Sequence, residues 1–303
     1  MNPFLRNFYG VAIFTALTCN TIVWFVPLFL LALVKLVLPV AVLRRHLTRL
    51  LMWFGDNWVS VNRFLLAKSG SRQWQAIGVD GLRPDGWYLV LVNHQTWVDI
   101  VVLQSVFNRR IPFLKFFIKQ ELVWFPVLGI AWWALDMPFM KRRSPSYLAR
   151  HPEEKGRDLE STRRACARFR DTPTTVLNFV EGTRFSEAKR EARQSPYRHL
   201  LKPRAGGVAV ALGSMGELFD HVLDVTVAYP DGVPSFWGLV CGDRVRAHVE
   251  VTTRALEPGL IGGDYETDRD YRRRVHQWLT DIWKAKDERL AALGGSQSSP
   301  PVA

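Results

Sequence analysis

Cysteine is scarce in this 303-residue chain: Cys19, Cys166 and Cys241 stand far apart, with neither a pairing pattern nor metal-ligand spacing. That scarcity excludes a disulfide framework and a cysteine-built metal centre, and it fits a domain facing a reducing compartment. No Gly-x-Ser-x-Gly turn occurs, so the strand-to-helix elbow of serine hydrolases has no place here. No second histidine stands at zinc-ligand spacing from His94, and no internal repeat is visible. Acid is also short, with 28 Asp and Glu against 40 Lys and Arg, a net charge of +12. The partner implied by that balance is anionic, and nucleic acid or the phosphate surface of a membrane both meet it. A nucleic-acid platform is disfavoured, because the basic residues lie in helices and tails without interleaved aromatics.

What the chain has in quantity is apolar and aromatic material: 48% apolar residues, 12 Trp and 18 Phe. That is enough for one large α/β domain plus an appendage. The expected fold is a mixed, largely parallel sheet flanked by helices, with an amino-terminal membrane-inserted helical segment. Positions 8–34 carry no charge, and apolar character resumes after Lys35 as far as position 43. Such a run exceeds the roughly 20 residues a helix needs to cross a bilayer. A cleaved signal peptide does not fit, since only Arg6 precedes the run, the run is too long and no small-x-small site follows. One tilted helix and a hairpin-like pair broken near Pro27 or Pro39 both satisfy the length. Arg44, Arg45, His46 and Arg49 follow the run, against Arg6 before it, which sets the carboxyl side toward the cytoplasm. Residues 46–67 alternate apolar and polar positions at helical spacing, as a helix on the membrane surface or an ordinary packing helix would. The division expected is therefore 1–67 for membrane and interfacial helices, 68–293 for the α/β domain, and 294–303 for a flexible Gly/Ser/Pro tail.

The domain is organised around the stretch 88–99. A short apolar run at 88–92 reads as a buried strand that stops at the polar pair Asn93-His94. Thr96 is placed to cap the helix that follows, with Asp99 three residues on reaching back toward the cap. Side chains in a helix's first turn lean toward its amino end, so the Asp99 carboxylate points back at the His94 ring. A carboxylate that receives one ring N–H leaves the other ring nitrogen free to accept a proton, which makes His94 a general base. A satisfied interior histidine beside a capping acid is the alternative this segment leaves open.

Segment 113–139 is greasy but punctuated by Lys119, Glu121, Pro126, Gly129, Asp136 and Pro138, a poor spanning helix that serves either as a cleft lining or as a helix–loop–strand of plain core. Residues 153–171 read as a charged amphipathic helix, in which Cys166 is a small buried residue and not an activated thiolate. A strand at 174–180 ends in Glu181-Gly182-Thr183-Arg184. Gly182 permits close backbone approach, Thr183 offers a hydroxyl, and Arg184 presents a planar fork for phosphate oxygens. A turn closed by a Glu181–Arg184 ion pair serves equally well. A Gly-started helix at 205–221, strands at 223–229 and 246–256, and a basic helix at 268–293 complete the chain.

The order of these blocks resembles the PlsC-type glycerolipid acyltransferases, the 1-acylglycerol-3-phosphate acyltransferase family. Asn93-His94-x4-Asp99 matches its first signature and Lys119-x-x-Leu122-x3-Pro126-x2-Gly129 its second, followed by a strand ending at Arg142. Phe179-Val180-Glu181-Gly182-Thr183-Arg184 is similar to the third, with Val180 where proline is usual, and 225–229 to the fourth, with Thr226 where proline is often found. The Val180 variant, with 201–207 downstream, looks like the branch that holds lysocardiolipin acyltransferases and their bacterial relatives.

The resemblance implies transfer of a fatty acyl group from an acyl thioester, acyl-CoA or acyl carrier protein, to the free hydroxyl of lysophosphatidic acid, giving phosphatidic acid. Another lyso-phospholipid, of the lysophosphatidylglycerol or lysocardiolipin type, is the alternative acceptor. In a different class stands a non-enzymatic, membrane-anchored binder of anionic lipid or nucleic acid. Under the resemblance His94 is the base and Asp99 its orienting acid, while Lys119, Arg142, Glu181, Gly182, Thr183 and Arg184 bind substrate. Asn93 shapes the loop or polarises the carbonyl. No metal and no cofactor beyond the thioester co-substrate is implied. The partners are the lipid acceptor, the thioester donor and the bilayer, with no nucleic acid, and the place implied is a bacterial inner membrane with the catalytic domain facing the cytoplasm.

Overall fold

A computed structural model describes residues 2–37, 40–116, 118–124, 128–137, 139–140, 150, 166, 169–170 and 172–294. The apolar run forms strand β2 (Tyr88–Val92), buried at every position, as a central strand covered on both faces must be. Its alternate side chains serve two cores: Leu89 and Leu91 face one, Tyr88, Val90 and Val92 the other. Around it assembles a six-stranded sheet of β1 (Arg72–Ile77), β2, β3 (Leu114–Phe116), β6 (Thr175–Phe179), β7 (His221–Ala228) and β8 (Val245–Arg254), in the order β1-β8-β7-β2-β6-β3. All neighbours are parallel except β7 and β8, so the sheet is mixed and largely parallel as expected. A second, two-stranded sheet pairs β4 (Ile118–Lys119) with β5 (Phe139–Met140).

Helices cover both faces. On one lie α6 (Ala205–Met215) and α8 (Arg269–Ala292), which contribute Val208, Leu212, Leu279 and Trp283 to the core. On the other lie α3 (Val98–Phe107), contributing Val102, Leu103 and Phe107, and the end of α2 (Ala41–Lys68), contributing Leu66. Shorter described α-helices are α4 (Leu128–Ala134), α5 (Glu187–Ala192) and α7 (Phe236–Val240). Asp268 caps α8 by accepting from the N–H groups of Asp270 and Tyr271, both at 2.9 Å.

The amino-terminal run forms α1 (Pro3–Val37), continuous through Pro27, and α2 packs along it. The uncharged run 8–34 thus lies within one helix, and α1 and α2 together make a helical hairpin. The helix at 46–67 packs against α1, with Asn20 Nδ2 donating to the Trp58 carbonyl at 3.1 Å and to Asn62 Oδ1 at 2.9 Å. Thirty-five residues make α1 about 52 Å long, and it is apolar enough to cross a membrane. Both of its ends are fastened to the rest of the chain. Arg6 pairs with Asp243 at 2.7 Å, and Gly10, lacking a Cβ, lets the helix close on Cys241. At the other end the buried Lys35 ammonium meets Asp136 at 3.0 Å and donates to the Ala134 carbonyl at 2.9 Å. The outer face, with Phe4, Phe8, Val23, Leu30 and Leu36 among others, remains exposed.

Three expectations need adjusting or fall elsewhere. Of the greasy segment, α4 buries Ala131 and Ala134 against Leu28, Ala32 and Leu51 of the hairpin, so its described helix packs instead of lining a cleft. The charged helix at 153–171 lies mostly outside the described residues, but Cys166 is buried, as a small core residue should be. The tail 295–303 is also outside them.

Candidate active site

Strands β2, β6 and β7 are parallel and adjacent, so their carboxyl ends share one edge of the sheet. Open α/β sheets bind ligands outside that edge, and here it collects the exits at His94, Glu181 and Tyr229. His94 Nδ1 lies 2.8 Å from Asp99 Oδ2. A carboxylate only accepts, so Nδ1 carries the hydrogen and Nε2 presents its lone pair. Asp99 is fully buried, whereas the His94 side chain keeps 12% of its exposure, and Nε2 has no hydrogen-bond partner among the described residues. The ring is further held face to face with Phe179, centroids 4.0 Å apart.

Asp99 does more than orient the ring. Its Oδ2 also accepts from the Gln95 and Thr96 N–H groups at 2.6 and 3.0 Å, and its Oδ1 accepts from the Tyr229 hydroxyl at 2.7 Å. The reach back toward the helix start is as expected, but Thr96 is not the cap: α3 begins one residue later, and the Thr96 hydroxyl donates to the Pro234 carbonyl at 2.8 Å.

Asn93 is buried and engaged, its Nδ2 donating to the Val227 carbonyl and its Oδ1 accepting from the Val227 N–H, both at 2.9 Å. These bonds tie the loop to the end of β7, and Nδ2 carries a second hydrogen beyond the one given to Val227. Glu181 is likewise fully buried and makes no ion pair with Arg184. Its Oε1 accepts from the His94 N–H at 3.0 Å and its Oε2 from the Leu201 N–H at 2.8 Å. The Phe185 N–H donates to the His94 carbonyl at 2.7 Å, so the third block grips both polar groups of the His94 peptide.

Gly182 has φ +68°, a left-handed conformation that a side chain resists, and a Cβ there would also lie 3.0 Å from Arg204 Cδ. The turn exposes Arg184, whose guanidinium rests 5.2 Å from the centroid of the exposed Trp97 ring. Thr183 Oγ1 accepts from Lys189 Nζ at 3.0 Å. Lys119 stands in β4 opposite Met140, and Arg142 lies outside the described residues. The structure therefore brings His94, Gly182, Thr183 and Arg184 to one rim, with Asn93, Asp99 and Glu181 buried beneath it.

Both departures from the family's prolines have a use. The Val180 N–H donates to the Val92 carbonyl at 3.3 Å, a bond proline cannot make. Thr226 Oγ1 accepts from the wholly buried Lys286 ammonium at 3.2 Å, and Asp224 pairs with that ammonium at 2.6 Å. Burial lowers the Lys286 pKa against the pull of Asp224.

Burial also pushes the Glu181 carboxyl up to about 7, opposed by the two backbone N–H groups. An unfolded glutamate ionises near about 4.3. Between those values the folded chain keeps a proton that the unfolded chain has lost, so the stability present below the window is lost as pH rises through it. The thermal midpoint should therefore decline from about pH 5 to about pH 7, and Glu181→Gln should flatten that slope in the same scans.

Fold and site define an α/β domain with a histidine–carboxylate pair at the carboxyl edge of its sheet. A profile of the family described as Acyltransferase matches residues 74–229, more than half of the chain, which belongs to that family. Human 1-acyl-sn-glycerol-3-phosphate acyltransferase delta is 25% identical over 213 residues, 66% of this chain and 51% of that protein. The Brassica oleracea 1-acyl-sn-glycerol-3-phosphate acyltransferase 2 is 25% identical over 254 residues, 79% and 58% of the two chains. This chain thus spans about half the length of the curated relatives it matches. The crystal structure of the 1-acyl-sn-glycerophosphate (LPA) acyltransferase PlsC from Thermotoga maritima superposes with a TM-score of 0.53 at 15% identity, covering 95% of this chain and 98% of that one.

Proposed function

We propose that this protein transfers a fatty acyl group from an acyl thioester to the free hydroxyl of a 1-acyl-glycerol-3-phosphate, giving phosphatidic acid and a free thiol. The observation that carries the reading is the His94–Asp99 pair, with Nε2 unpartnered and Arg184 on the same rim. Nε2 takes the hydroxyl proton as the oxygen attacks the thioester carbonyl, and Asp99 stabilises the imidazolium that forms. Collapse of the tetrahedral adduct breaks the carbon–sulfur bond, and the imidazolium returns its proton to the departing sulfur. A thiol with a pKa near about 8.5 leaves readily, so one base suffices. Alignment of the two reactants contributes on the order of 7–11 kcal/mol to lowering the barrier.

Arg184 and Thr183 hold the acceptor's phosphate, with Lys119 and Arg142 as further cations from the second block. An apolar cleft of about 210 Å³ between α1, α2 and α3, lined by Leu17, Trp58, Val59, Leu66, Val101 and Phe236, suits a fatty chain. The exposed apolar face of α1 dips into the bilayer, and Arg44, Arg45 and Arg49 meet anionic headgroups. In a bacterium the membrane would be the inner one, with the domain on the cytoplasmic side. A lyso-phospholipid of the lysophosphatidylglycerol or lysocardiolipin type is the second acceptor to test, favoured by Val180 in the third block.

The test is purified protein in detergent with acyl-CoA or acyl carrier protein thioester and each lyso-lipid, scored by thiol release. No release above a protein-free control with any pair would end the proposal. Arg184→Ala should raise the acceptor KM about 10- to 100-fold, the weight of a charge-assisted bond, with a smaller change in kcat. An unchanged acceptor KM would remove Arg184 from the phosphate site.

A further inference from the structure

Tyr229 follows β7 and closes the fourth block, 225–229. Its ring is buried, 1% exposed, and its hydroxyl donates to Asp99 Oδ1 at 2.7 Å from 130 positions away. Burial holds the phenol well above its ordinary range, and the neighbouring carboxylate acts in the same direction, so the O–H remains a donor. Among the described residues no lysine or arginine pairs with Asp99, which leaves Tyr229 as the donor to Oδ1.

We propose that Tyr229 is a positioning residue for acyl transfer: acting through Asp99, its hydroxyl tempers the carboxylate's hold on the imidazolium and so sets the pH range in which His94 is a free base. The inference rests on the general-base reading above. A carboxylate oxygen that already accepts one hydrogen bond has less charge to offer another partner. Every donor given to Asp99 therefore weakens its pull on the Nδ1 hydrogen.

The other groups facing the pair are fixed. Glu181 approaches from β6 through the His94 N–H, Lys286 lies beyond Glu181, and Arg184 stands at the rim over Trp97. None of them touches Oδ1, so removing the Tyr229 hydroxyl changes one bond to the pair. Without it the carboxylate binds the imidazolium more tightly, and the base stays protonated to a higher pH.

Tyr229→Phe should move the acid limb of the kcat/KM profile upward by about half a unit, lower kcat on that limb about threefold, and leave both KM values within about twofold. Activity should recover as pH is raised. Site-specific 3-fluorotyrosine at position 229, a stronger donor of the same shape, should move that limb downward with the fold intact, and it decides the matter alone if the phenylalanine variant does not fold. An unmoved limb, whether activity is retained or lost evenly at all pH values, overturns the proposal. His94→Ala in the same assay separates the two layers. Undiminished thiol release by it sinks the base reading, whereas an inactive His94→Ala beside an unmoved limb sinks only the role of Tyr229.

Discussion

His94→Ala should abolish acyl transfer, with a fall in kcat of on the order of 10² to 10⁴, while the protein keeps its fold. The magnitude follows from removing a positioned base, and the retained fold follows from where the ring sits. His94 is tied into the structure by its main chain, through the N–H to Glu181 and the carbonyl to the Phe185 N–H, and alanine preserves both bonds. The ring's own contacts are one hydrogen bond to Asp99 and the face of Phe179, at the mouth of the site and not in either core. Thiol release with saturating acceptor, alongside circular dichroism of the variant, checks both halves. A variant that releases thiol at the native rate would leave the site without its base.

Asp99→Asn should cost a further, separable loss of on the order of 10³ in kcat, again in a folded protein. An amide carbonyl in the place of Oδ2 still accepts from the Gln95 and Thr96 N–H groups and from Nδ1, so the loop and the tautomer persist. The amide nitrogen then faces the Tyr229 hydroxyl, which can rotate to accept, because a phenol serves in either role. What disappears is the negative charge that steadies the imidazolium. The loss should therefore fall on kcat with acceptor KM little changed, and comparison of the two constants against His94→Ala is the measurement. An equal loss in KM would mean that the carboxylate organises the acceptor site.

Much of this was legible in the sequence where the cause is local. An uninterrupted apolar run reads as a doubly covered strand, and an acid five residues after a strand-exit histidine lies within reach of its ring, so β2, His94 and Asp99 follow from spacing. Glu181 was visible as a residue of interest but its hold on the site was not, because its partners, the N–H groups of His94 and Leu201, lie 87 and 20 positions away. Tyr229 and Lys286 escaped for the same reason. A tyrosine closing a strand and a lysine on a basic helix look ordinary until the fold sets one against Asp99 and buries the other beside Asp224. Phe179 gave only its hydrophobicity, although its place at the end of β6, next to the exit of β2, seats the imidazole.

The lacing of the His94 peptide to residues 181 and 185 carries one more implication. The backbone segments that carry base and guanidinium are tied into one frame, so the main-chain part of the interval between them is set by the fold. Under the proposed reaction, an acceptor whose alcohol and anionic group are separated by fewer or more carbons should fit that frame less well, whichever fatty chain it carries.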